Sequence, residues 1–314
     1  MNYLKYKIPY DLINEKIKLL NSKNIVFYID LNSIARGFYN RSIILEELSN
    51  YIEHKKLPVL LLKELKIFLN NLHSYYKTLN PKFYIFYDNG ENYQNKSVSS
   101  KYKFNRTNQS KTYILNDEER ALYYEIKNYY FEEIKNKFSI KNLCKVVSLD
   151  KYESDFVPYY AISNYKFFKN PDVINIILSV DKDLLQCCKF ENTFQAISVF
   201  LPSKSQIVSK VYDNNNAIEY ISKNNKHSIT SDYIPLILAI SGDRQDGIPT
   251  LKKGLGVAST INMIKLYDMP PDFNSTYNLP EDLKEFRIKL QTNLDLTSFE
   301  RQIERIPKKI LALI

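Results

Sequence analysis

Acidic residues stand at the ends of apolar segments throughout this 314-residue chain. Asp30 ends the segment "NIVFYID", and Asp88 ends the segment "KFYIFYD". Two later apolar segments are each followed by a pair of acids, Glu153 with Asp155 and Asp181 with Asp183. A single Asp in such a place usually forms a turn or caps a helix, but four segment ends in succession are harder to obtain by chance. If these segments are parallel strands, the six carboxylates converge on one edge of a sheet.

Such a cluster of carboxylates predicts a site for hard divalent cations. Carboxylates repel one another, so without a cation some of them would have to stay protonated. Ligands that offer only oxygen favour Mg²⁺ or Mn²⁺ over Zn²⁺. The three histidines are scattered and the three cysteines show no paired ligand spacing, which argues against a zinc site and a Ser-His-Asp triad. Because there are more acids than one ion needs, we expect two ions, which together can hydrolyse a phosphodiester.

The stretch "ISGDRQDGIPTLKKGLGVAST" at 240–260 contains four of the six glycines, at positions 242, 247, 254 and 256. It also contains the acids Asp243 and Asp246 and the bases Lys252 and Lys253. Glycine lets the backbone turn with positive φ or approach a ligand closely. We interpret the stretch as two more metal ligands followed by a hairpin whose backbone N–H groups bind phosphate. The alternative is an ordinary turn between two helices.

Composition restricts the class of protein less than the acidic and glycine-rich motifs do. The formal net charge is +9, which favours a polyanionic partner, although a solvated basic surface is an equally good explanation of charge alone. If metal occupies the clustered acids, the remaining surface is more basic and a polyanion becomes the better explanation. We expect reduced cysteines and a cytoplasmic location. We expect no membrane association, since no apolar run approaches the roughly 18 residues that span a bilayer.

Apolar strands alternate with amphipathic helices up to about residue 210, and helices dominate after that. This order predicts an α/β fold with a central, mostly parallel, twisted sheet covered by helices. We place the five strands within 24–32, 81–88, 142–150, 172–183 and 194–202. The predicted division of the chain is an α/β body at 1–210 and a helical part at 211–314.

The order and spacing of these motifs resemble the 5′-nuclease superfamily across residues 25–265. This superfamily includes flap endonucleases, bacteriophage 5′→3′ exonucleases and the 5′-nuclease domain of bacterial DNA polymerase I, and the chain most resembles the freestanding phage enzymes. The matching motifs are "YIDLNSIARGFY", "FYIFYDNG", "SKYKFNR", "YESD", "SVDKDLLQ" and "SGDRQDGIPTLKKGLGVAST". Two departures stand out. Phe156 replaces a second acid of many relatives, and Val257 with Ala258–Ser259 replaces a small residue followed by Lys-Thr.

The resemblance implies a PIN-like nuclease body with a basic arch at about 89–135, and a C-terminal helix–three-turn–helix that binds DNA. It implies that one Mg²⁺ or Mn²⁺ ion lies among Asp30, Asp88, Glu153, Asp155 and Asp181. The resemblance also implies that a second ion lies among Asp183, Asp243 and Asp246, and that backbone carbonyls of the hairpin hold a K⁺ ion. The implied catalytic residues are Asp30, Asp88, Asp181, Lys103 and Arg106. The implied DNA-binding residues are Lys96, Lys101, Tyr102, Lys103, Arg106, Lys111, Lys252, Lys253, Gly254, Gly256 and Ser259.

The segment 92–116 carries five of these basic residues and no acid. It is either a solvated loop or an arch that threads or clamps a single-stranded 5′ end. Lys103 and Arg106 would stabilise charge on the scissile phosphate in the transition state. Tyr93, Tyr102 and Phe104 are candidates for stacking on bases, together with Tyr113.

The function that the resemblance implies is a structure-specific, metal-dependent 5′-nuclease, acting as a 5′→3′ exonuclease or flap endonuclease. It would hydrolyse DNA, and RNA in RNA–DNA duplexes, near junctions in replication or repair, leaving 5′-phosphates. A single-strand-binding protein or polymerase at the fork is a plausible partner, and the expected state is a monomer. Two alternatives stay open: a PIN-type ribonuclease and a catalytically weakened DNA-junction binding protein.

Overall fold

The structure is a computed structural model, which describes residues 7–34, 59–88, 93–100, 102, 132–138, 143–149, 151–201, 206–222, 229–273 and 279–314. Within these residues the chain forms one six-stranded sheet. Its strands are β1 Asn24–Asp30, β2 Lys82–Phe86, β3 Cys144–Val147, β4 Val173–Leu178, β5 Thr193–Leu201 and β6 Gln206–Tyr212.

The strand order is β3-β2-β1-β4-β5-β6, and every neighbouring pair is parallel except β5 with β6. The order reverses beside β1, so the loops after β1 and β4 open at the centre of one sheet edge. The predicted mostly parallel α/β sheet is confirmed. The sequence prediction omitted β6, whose residues "QIVSKVY" mix apolar and polar positions as an antiparallel edge strand does.

Helices cover the sheet and build the C-terminal part. In chain order the α-helices are α1 Tyr10–Leu20, α2 Leu31–Ile34, α3 Val59–Tyr75, α4 Tyr93–Val98, α5 at 132–138, α6 Val157–Asn164, α7 Lys166–Lys169, α8 Ala217–Ser222, α9 Ile234–Ser241, α10 Val257–Leu266, α11 Arg287–Thr297, α12 Phe299–Glu304 and α13 Lys308–Leu311. Short 3₁₀-helices lie at Lys77–Leu79, Asp183–Lys189, Ser231–Tyr233 and Glu281–Phe286.

Both faces of the sheet are buried, as the continuous apolar strands predict. In β1, Phe27 and Ile29 belong to the core cluster on one face, with residues of α1 and α3. Val26 and Tyr28 belong to the cluster on the other face, with residues of α6 and the C-terminal helices. The alternation of side chains along a strand therefore divides β1 between two cores.

A third core joins the helical part to the sheet. Buried residues of α9, α10 and α11 form a cluster that also contains Leu185 and Cys188, from the 3₁₀-helix that follows β4. This contact holds the segment 240–260 beside the loop after β4. All three cysteines are buried and form no disulfide. Among the described residues, no helix is both long and apolar enough to cross a bilayer. The predicted division at residue 210 stays a prediction.

Candidate active site

Asp30 lies at the end of β1, almost completely buried at 3% exposure. The hydroxyls of Ser33 and Ser179 both donate to its Oδ2, the latter at 2.6 Å, and the Ser33 N–H donates to Oδ1 at 3.1 Å. The pKa of Asp30 is raised to about 6, chiefly by burial and in smaller part by the charge of Asp181, while the hydrogen bonds from Ser179 and Ser33 oppose the shift. The carboxyl group therefore sits where its charge is costly without a nearby cation.

Asp181 and Asp183 follow β4 in a tight turn. The Asp181 N–H donates to Ser179 Oγ at 3.0 Å, so Ser179 connects the ends of β1 and β4. The Asp183 N–H donates to Asp181 Oδ1 at 2.9 Å. The side-chain amide of Gln195 on β5 donates to the carbonyls of Ser179 and Asp181, at 3.1 and 2.7 Å. The neighbouring strand thus fixes the turn that presents both acids.

Asp183, Asp243 and Asp246 form a compact set of carboxylates, which we call the hairpin group. Each offers an oxygen, and these oxygens lie within 4.8 Å of one another. Burial raises the pKa of Asp183 well above its ordinary value, and the charges of Asp181 and Asp246 add to the effect. Asp183 Oδ1 is a buried oxygen without a hydrogen-bond partner in the described part of the chain. An unpartnered buried carboxylate oxygen beside two more carboxylates fits a divalent cation.

A lysine shares this site with the acids. Lys182 Nζ lies 2.6 Å from Asp243 Oδ2, and the Asp243 side chain is only 6% exposed. Burial by itself lowers the pKa of Lys182, but the charges of Asp183 and Asp243 outweigh burial and raise it. Lys182 is therefore a charged counter-ion for the hairpin group.

Glycine positions the second half of the hairpin group. Gly242 ends α9 with a φ of +76°, and a Cβ built on it would lie 2.5 Å from the backbone nitrogen of Thr250. Directly after it, Asp243 and Ile248 exchange backbone hydrogen bonds of 2.9 and 2.8 Å. The close approach that only glycine allows therefore points a short turn, with both acids on it, at the sheet edge.

Asp88 and Glu153 form a second set of acids, which we call the loop group. The Ser154 N–H donates to Asp88 Oδ1 at 2.7 Å, and Ser154 Oγ donates to the Tyr87 carbonyl at 2.8 Å. These bonds fasten the loop after β3 to the end of β2. Glu153 is 7% exposed, and Asp155 is half-buried two residues further on.

Two neutral side chains, Tyr102 and Asn95, donate hydrogen bonds to the Glu153 carboxylate. Tyr102 Oη lies 3.0 and 2.9 Å from its two oxygens, and Asn95 Nδ2 donates to Oε2 at 3.1 Å. Tyr102 is only 3% exposed and packs on Val98, Ile248 and Leu296. The expectation that Tyr102 stacks on bases needs correction, because its ring is in the core and its hydroxyl is held by Glu153.

The two groups differ from the predicted ligand sets in one respect. The three expected ligands of the second ion lie together in the hairpin group. In the described residues, the five expected ligands of the first ion do not form an equally compact set; Asp30 and Asp181 interact electrostatically, and Asp88 lies beside the Glu153 loop. Glu153 and Asp155 lie in the turn that follows β3, and α6 begins after them at Val157.

No protein-family model and no curated protein sequence matches the chain. A crystal structure of the T5 D15 protein with metal ions matches with a TM-score of 0.57 at 14% identity, over 92% of this chain and 96% of that chain. The bacteriophage T5 D15 flap endonuclease, in a pseudo-enzyme–product complex with DNA and metal ions, matches with a TM-score of 0.59 at 16% identity. This match covers 92% of this chain and 99% of that chain. The T5 5′-exonuclease with zinc matches with a TM-score of 0.57 at 16% identity, over 92% of this chain and 96% of that chain.

The chain has the fold of the T5 5′-exonuclease. The predicted fold of the freestanding phage enzymes is thereby confirmed. At this level of identity the match establishes the fold, and the role of each residue still has to be argued from the site.

In this 5′-exonuclease fold, Phe156 takes the place where a further acid was expected. The side chain is 1% exposed and belongs to the core cluster of α6 and the C-terminal helices. It points away from water and fills space between the sheet and those helices. A carboxylate there would need a partner in an apolar core, so Phe156 contributes to packing.

The hairpin between α9 and α10 presents an open, basic surface. Lys252, Lys253, Gly254, Gly256 and Ser259 are all exposed. Gly254 has a φ of +91°, and a Cβ on either Gly254 or Gly256 would meet no atom within 4 Å. A cavity of about 540 Å³ opens between these two glycines and Gly242. Helix α10 begins at Val257 without a side-chain cap, so its first N–H groups are suited to an anion.

Backbone carbonyls converge inside the hairpin. Thr250 Oγ1 lies 3.3, 3.0 and 3.2 Å from the carbonyl oxygens of Ile240, Lys252 and Leu255. One hydroxyl proton can satisfy only one of these three acceptors well. The Lys289 ammonium holds the other side, at 2.7 and 3.0 Å from the carbonyls of Thr250 and Leu251. A set of converging oxygens is suited to a monovalent cation.

Several predicted residues lie outside the described residues: Lys101, Lys103, Arg106 and Lys111. Lys96 is half-buried on α4. Sequence reasoning missed Ser33, Ser179, Asn95, Lys182 and Arg305. Ser33 and Lys182 had a signal, because one lies three residues after Asp30 and the other lies between two acids. Asn95 and Arg305 had none, since their partners are distant in sequence.

Proposed function

We propose that this chain is a structure-specific, divalent-metal-dependent 5′-nuclease that acts as a 5′→3′ exonuclease or flap endonuclease. The observation that carries the proposal is the hairpin group, in which acids from the end of β4 and from the glycine turn meet with an unpartnered buried oxygen. The T5-like fold makes the same edge of the sheet the expected place for such chemistry.

The proposed ligands follow the two groups of acids. Asp183, Asp243 and Asp246 would hold one Mg²⁺ or Mn²⁺ ion. Asp30, Asp88, Glu153, Asp155 and Asp181 would surround the other. When bound, such a pair of ions activates water and stabilises the leaving oxygen of a phosphodiester.

The protein's own residues prepare the site for that reaction. The Ser33 and Ser179 hydroxyls orient Asp30, Ser154 orients Asp88, and Gln195 fixes the turn that carries Asp181. In the proposed mechanism, Lys103 and Arg106 contact the scissile phosphate from the basic segment. That segment, an arch at about 89–135, would admit a single-stranded 5′ end.

The hairpin would bind the duplex next to the cut. Lys252, Lys253 and Ser259 would contact phosphates, while Gly254 and Gly256 allow the DNA backbone to come close to the N terminus of α10. The carbonyls around Thr250 would hold a K⁺ ion between protein and phosphate. Contacts of this kind recognise the backbone and the shape of a junction rather than its sequence.

The proposed biological setting follows from this chemistry. We propose that the enzyme cuts DNA, and RNA paired to DNA, in replication or repair, and leaves 5′-phosphates. A monomer in the cytoplasm of a bacterium or phage-infected host is the proposed state. A single-strand-binding protein or a polymerase is the proposed kind of partner.

A cleavage assay tests the proposal directly. A 5′-labelled flap duplex incubated with Mg²⁺ is expected to be cut near the junction, and EDTA is expected to stop the reaction. A single-stranded RNA of the same sequence should be cut far more slowly. Preferential cutting of the RNA would favour a PIN-type ribonuclease, and tight flap binding without cutting would favour a junction-binding protein.

A further inference from the structure

Three distant parts of the chain meet behind the Glu153 carboxylate. Asn95 on α4 donates from Nδ2 to Glu153 Oε2 at 3.1 Å. The same Asn95 accepts at Oδ1 from Arg305 Nη2 at 3.3 Å. Arg305 follows α12, 210 residues further along the chain. A hydrogen-bonded chain therefore runs from the C-terminal helices through α4 to an acid of the loop group.

Asn95 is the middle residue of this series of hydrogen bonds, and its partners fix the orientation of its amide group. Asn95 is completely buried, at 0% exposure, so it cannot contact a nucleic acid. A side-chain amide offers a donor and an acceptor on one rigid plane. The guanidinium of Arg305 can only donate, which turns the amide oxygen towards itself and the NH₂ group towards Glu153. Arg305 thus determines which way the amide points.

Arg305 is itself held by backbone carbonyls. Its Nε donates to the Arg301 carbonyl at 3.2 Å, and its Nη2 also donates to the Asp295 carbonyl. Within the described residues it forms no ion pair, and its Nη1 is buried without a hydrogen-bond partner. Burial lowers the pKa of the half-buried Arg305 and the charge of Asp295 opposes that shift, but the two side chains form no direct ion pair, so salt-bridge strength does not account for this arrangement.

We infer that Asn95 and Arg305 are positioning residues that hold the Glu153 carboxylate in the orientation it needs to ligate a divalent cation. This inference rests on the proposed function. The Asn95 amide and the Tyr102 hydroxyl are neutral donors, so the hydrogen bonds that they give to Glu153 fix its oxygens and leave the carboxylate charge in place. Asn95, oriented by Arg305, therefore supplies direction to an acid of the loop group.

The test measures Mn²⁺ binding to the full chain without DNA, by titration with electron paramagnetic resonance. Glu153→Gln first identifies the ion that depends on Glu153, as the one whose affinity falls. Asn95→Ala and Arg305→Met are each expected to lower the affinity for that ion by about tenfold, which is the usual effect of removing a residue that orients a ligand. The double variant is expected to be no weaker than Asn95→Ala alone, since Arg305 acts through Asn95.

Asn175→Ala is the matched control. Asn175 is also completely buried, and its Nδ2 donates to the backbone carbonyl of Phe168 at 2.9 Å. The substitution should cost stability without changing Mn²⁺ affinity. Asn95→Leu, which keeps the volume, replaces Asn95→Ala if the latter does not fold. Affinity for a flap duplex in Ca²⁺ should not change in any of these variants.

The outcomes separate the two proposals. Wild-type Mn²⁺ affinity in Asn95→Ala, or an equal loss in Asn175→Ala, overturns the positioning role while leaving the nuclease intact. Mn²⁺ binding that Glu153→Gln does not affect overturns it as well. A wild-type chain that neither binds Mn²⁺ nor cuts the flap overturns the proposed function and this inference together.

Discussion

The hairpin group and the loop group lie at the same edge of the sheet, but their surroundings are opposite. Asp183 of the hairpin group has like charges around it and a buried oxygen without a partner among the described residues. Glu153 of the loop group accepts hydrogen bonds from the Tyr102 hydroxyl, whose one proton is shared between the two carboxylate oxygens, and from the Asn95 amide. In the hairpin group three carboxylates repel one another and Lys182 is a counter-ion of Asp243, whereas in the loop group Tyr102 and Asn95 orient Glu153 by hydrogen bonds. A site for two ions can thus be prepared by repulsion on one side and by hydrogen bonding on the other.

Neutralising one acid in each group gives the largest expected effects. Asp183→Asn and Glu153→Gln should each lower flap cleavage in Mg²⁺ by more than about 100-fold, on the scale of lost transition-state stabilisation. In EDTA their thermal midpoints should move in opposite directions. Asp183→Asn should raise the midpoint because it relieves repulsion. Glu153→Gln should lower it because the amide NH₂ that replaces one carboxylate oxygen cannot accept a hydrogen bond from Tyr102 or Asn95.

Differential scanning fluorimetry in EDTA checks those signs, and DNA binding in Ca²⁺ controls for folding. A lower midpoint for Asp183→Asn would falsify the view that charge repulsion strains the hairpin group.

A substitution at Gly242 perturbs the backbone turn that carries Asp243 and Asp246 without changing either acid. Gly242→Ala should destabilise the protein by about 2–4 kcal/mol, since the added Cβ meets backbone atoms at a positive φ. Gly256→Ala, in the same hairpin, should cost less than about 1 kcal/mol because its Cβ enters open space at ordinary φ. Urea unfolding of both variants measures the difference. Equal costs at the two positions would mean that close packing at Gly242 does not hold Asp243 in place.

Asp30 combines features of both groups, since it is buried beside Asp181 and also accepts serine hydroxyls. Its pKa is about 6 in the folded protein against 3.8 in the reference state, so the folded form retains the proton between these values. The unfolded chain loses its proton first as pH rises. Stability from this group is therefore present below about pH 4 and is lost as pH rises to about 6.

The contribution of Asp30 is measured against Asp30→Asn, which cannot titrate. Between pH 4 and pH 7 in EDTA, the wild type should lose on the order of 2 kcal/mol relative to this variant. Urea unfolding across that range provides the measurement. A difference that does not change with pH would show that Asp30 is ionised without penalty.

Substitution of Lys182 is expected to have a smaller effect on stability, and one that depends on whether metal is bound. In EDTA, Lys182→Met should destabilise the protein by about 1–3 kcal/mol, because the buried Asp243 carboxylate loses its counter-ion. In saturating Mn²⁺ the loss should disappear, since the metal supplies the missing charge. Lys189, whose ammonium lies 3.7 Å from an exposed Glu300 carboxylate, is the matched control: Lys189→Met should be insensitive to metal. A penalty for Lys182→Met that persists in Mn²⁺ would mean that Lys182 and the metal do not share a role.

The sequence predicted the parts of this site that depend on local order. Continuous apolar strands identify a parallel sheet, and parallel strands bring their carboxyl ends together, so Asp30, Asp88 and Asp181 could be placed at one edge. The resemblance of the motif around Asp243 and Asp246 grouped these two acids with Asp183, and the three lie together in the structure.

What could not be predicted depends on contacts between distant segments. Nothing local to Tyr102 in a Tyr-rich chain indicates that its hydroxyl bonds to Glu153, and the basic residues around it suggested a base-stacking role instead. Strand β6 was missed because an edge strand with one open side mixes polar and apolar residues. The chain from Arg305 to Asn95 spans 210 residues and becomes visible only in the fold.

Counting bound ions tests the central claim most directly. Titration of the metal-free protein with Mn²⁺, followed by electron paramagnetic resonance, should give two ions per chain. Asp183→Asn should retain one of them and Glu153→Gln the other, each with weakened affinity for its own ion only. A wild-type chain that binds no Mn²⁺ at millimolar concentrations, or variants that lose the same single ion, would contradict the account of two separately prepared groups.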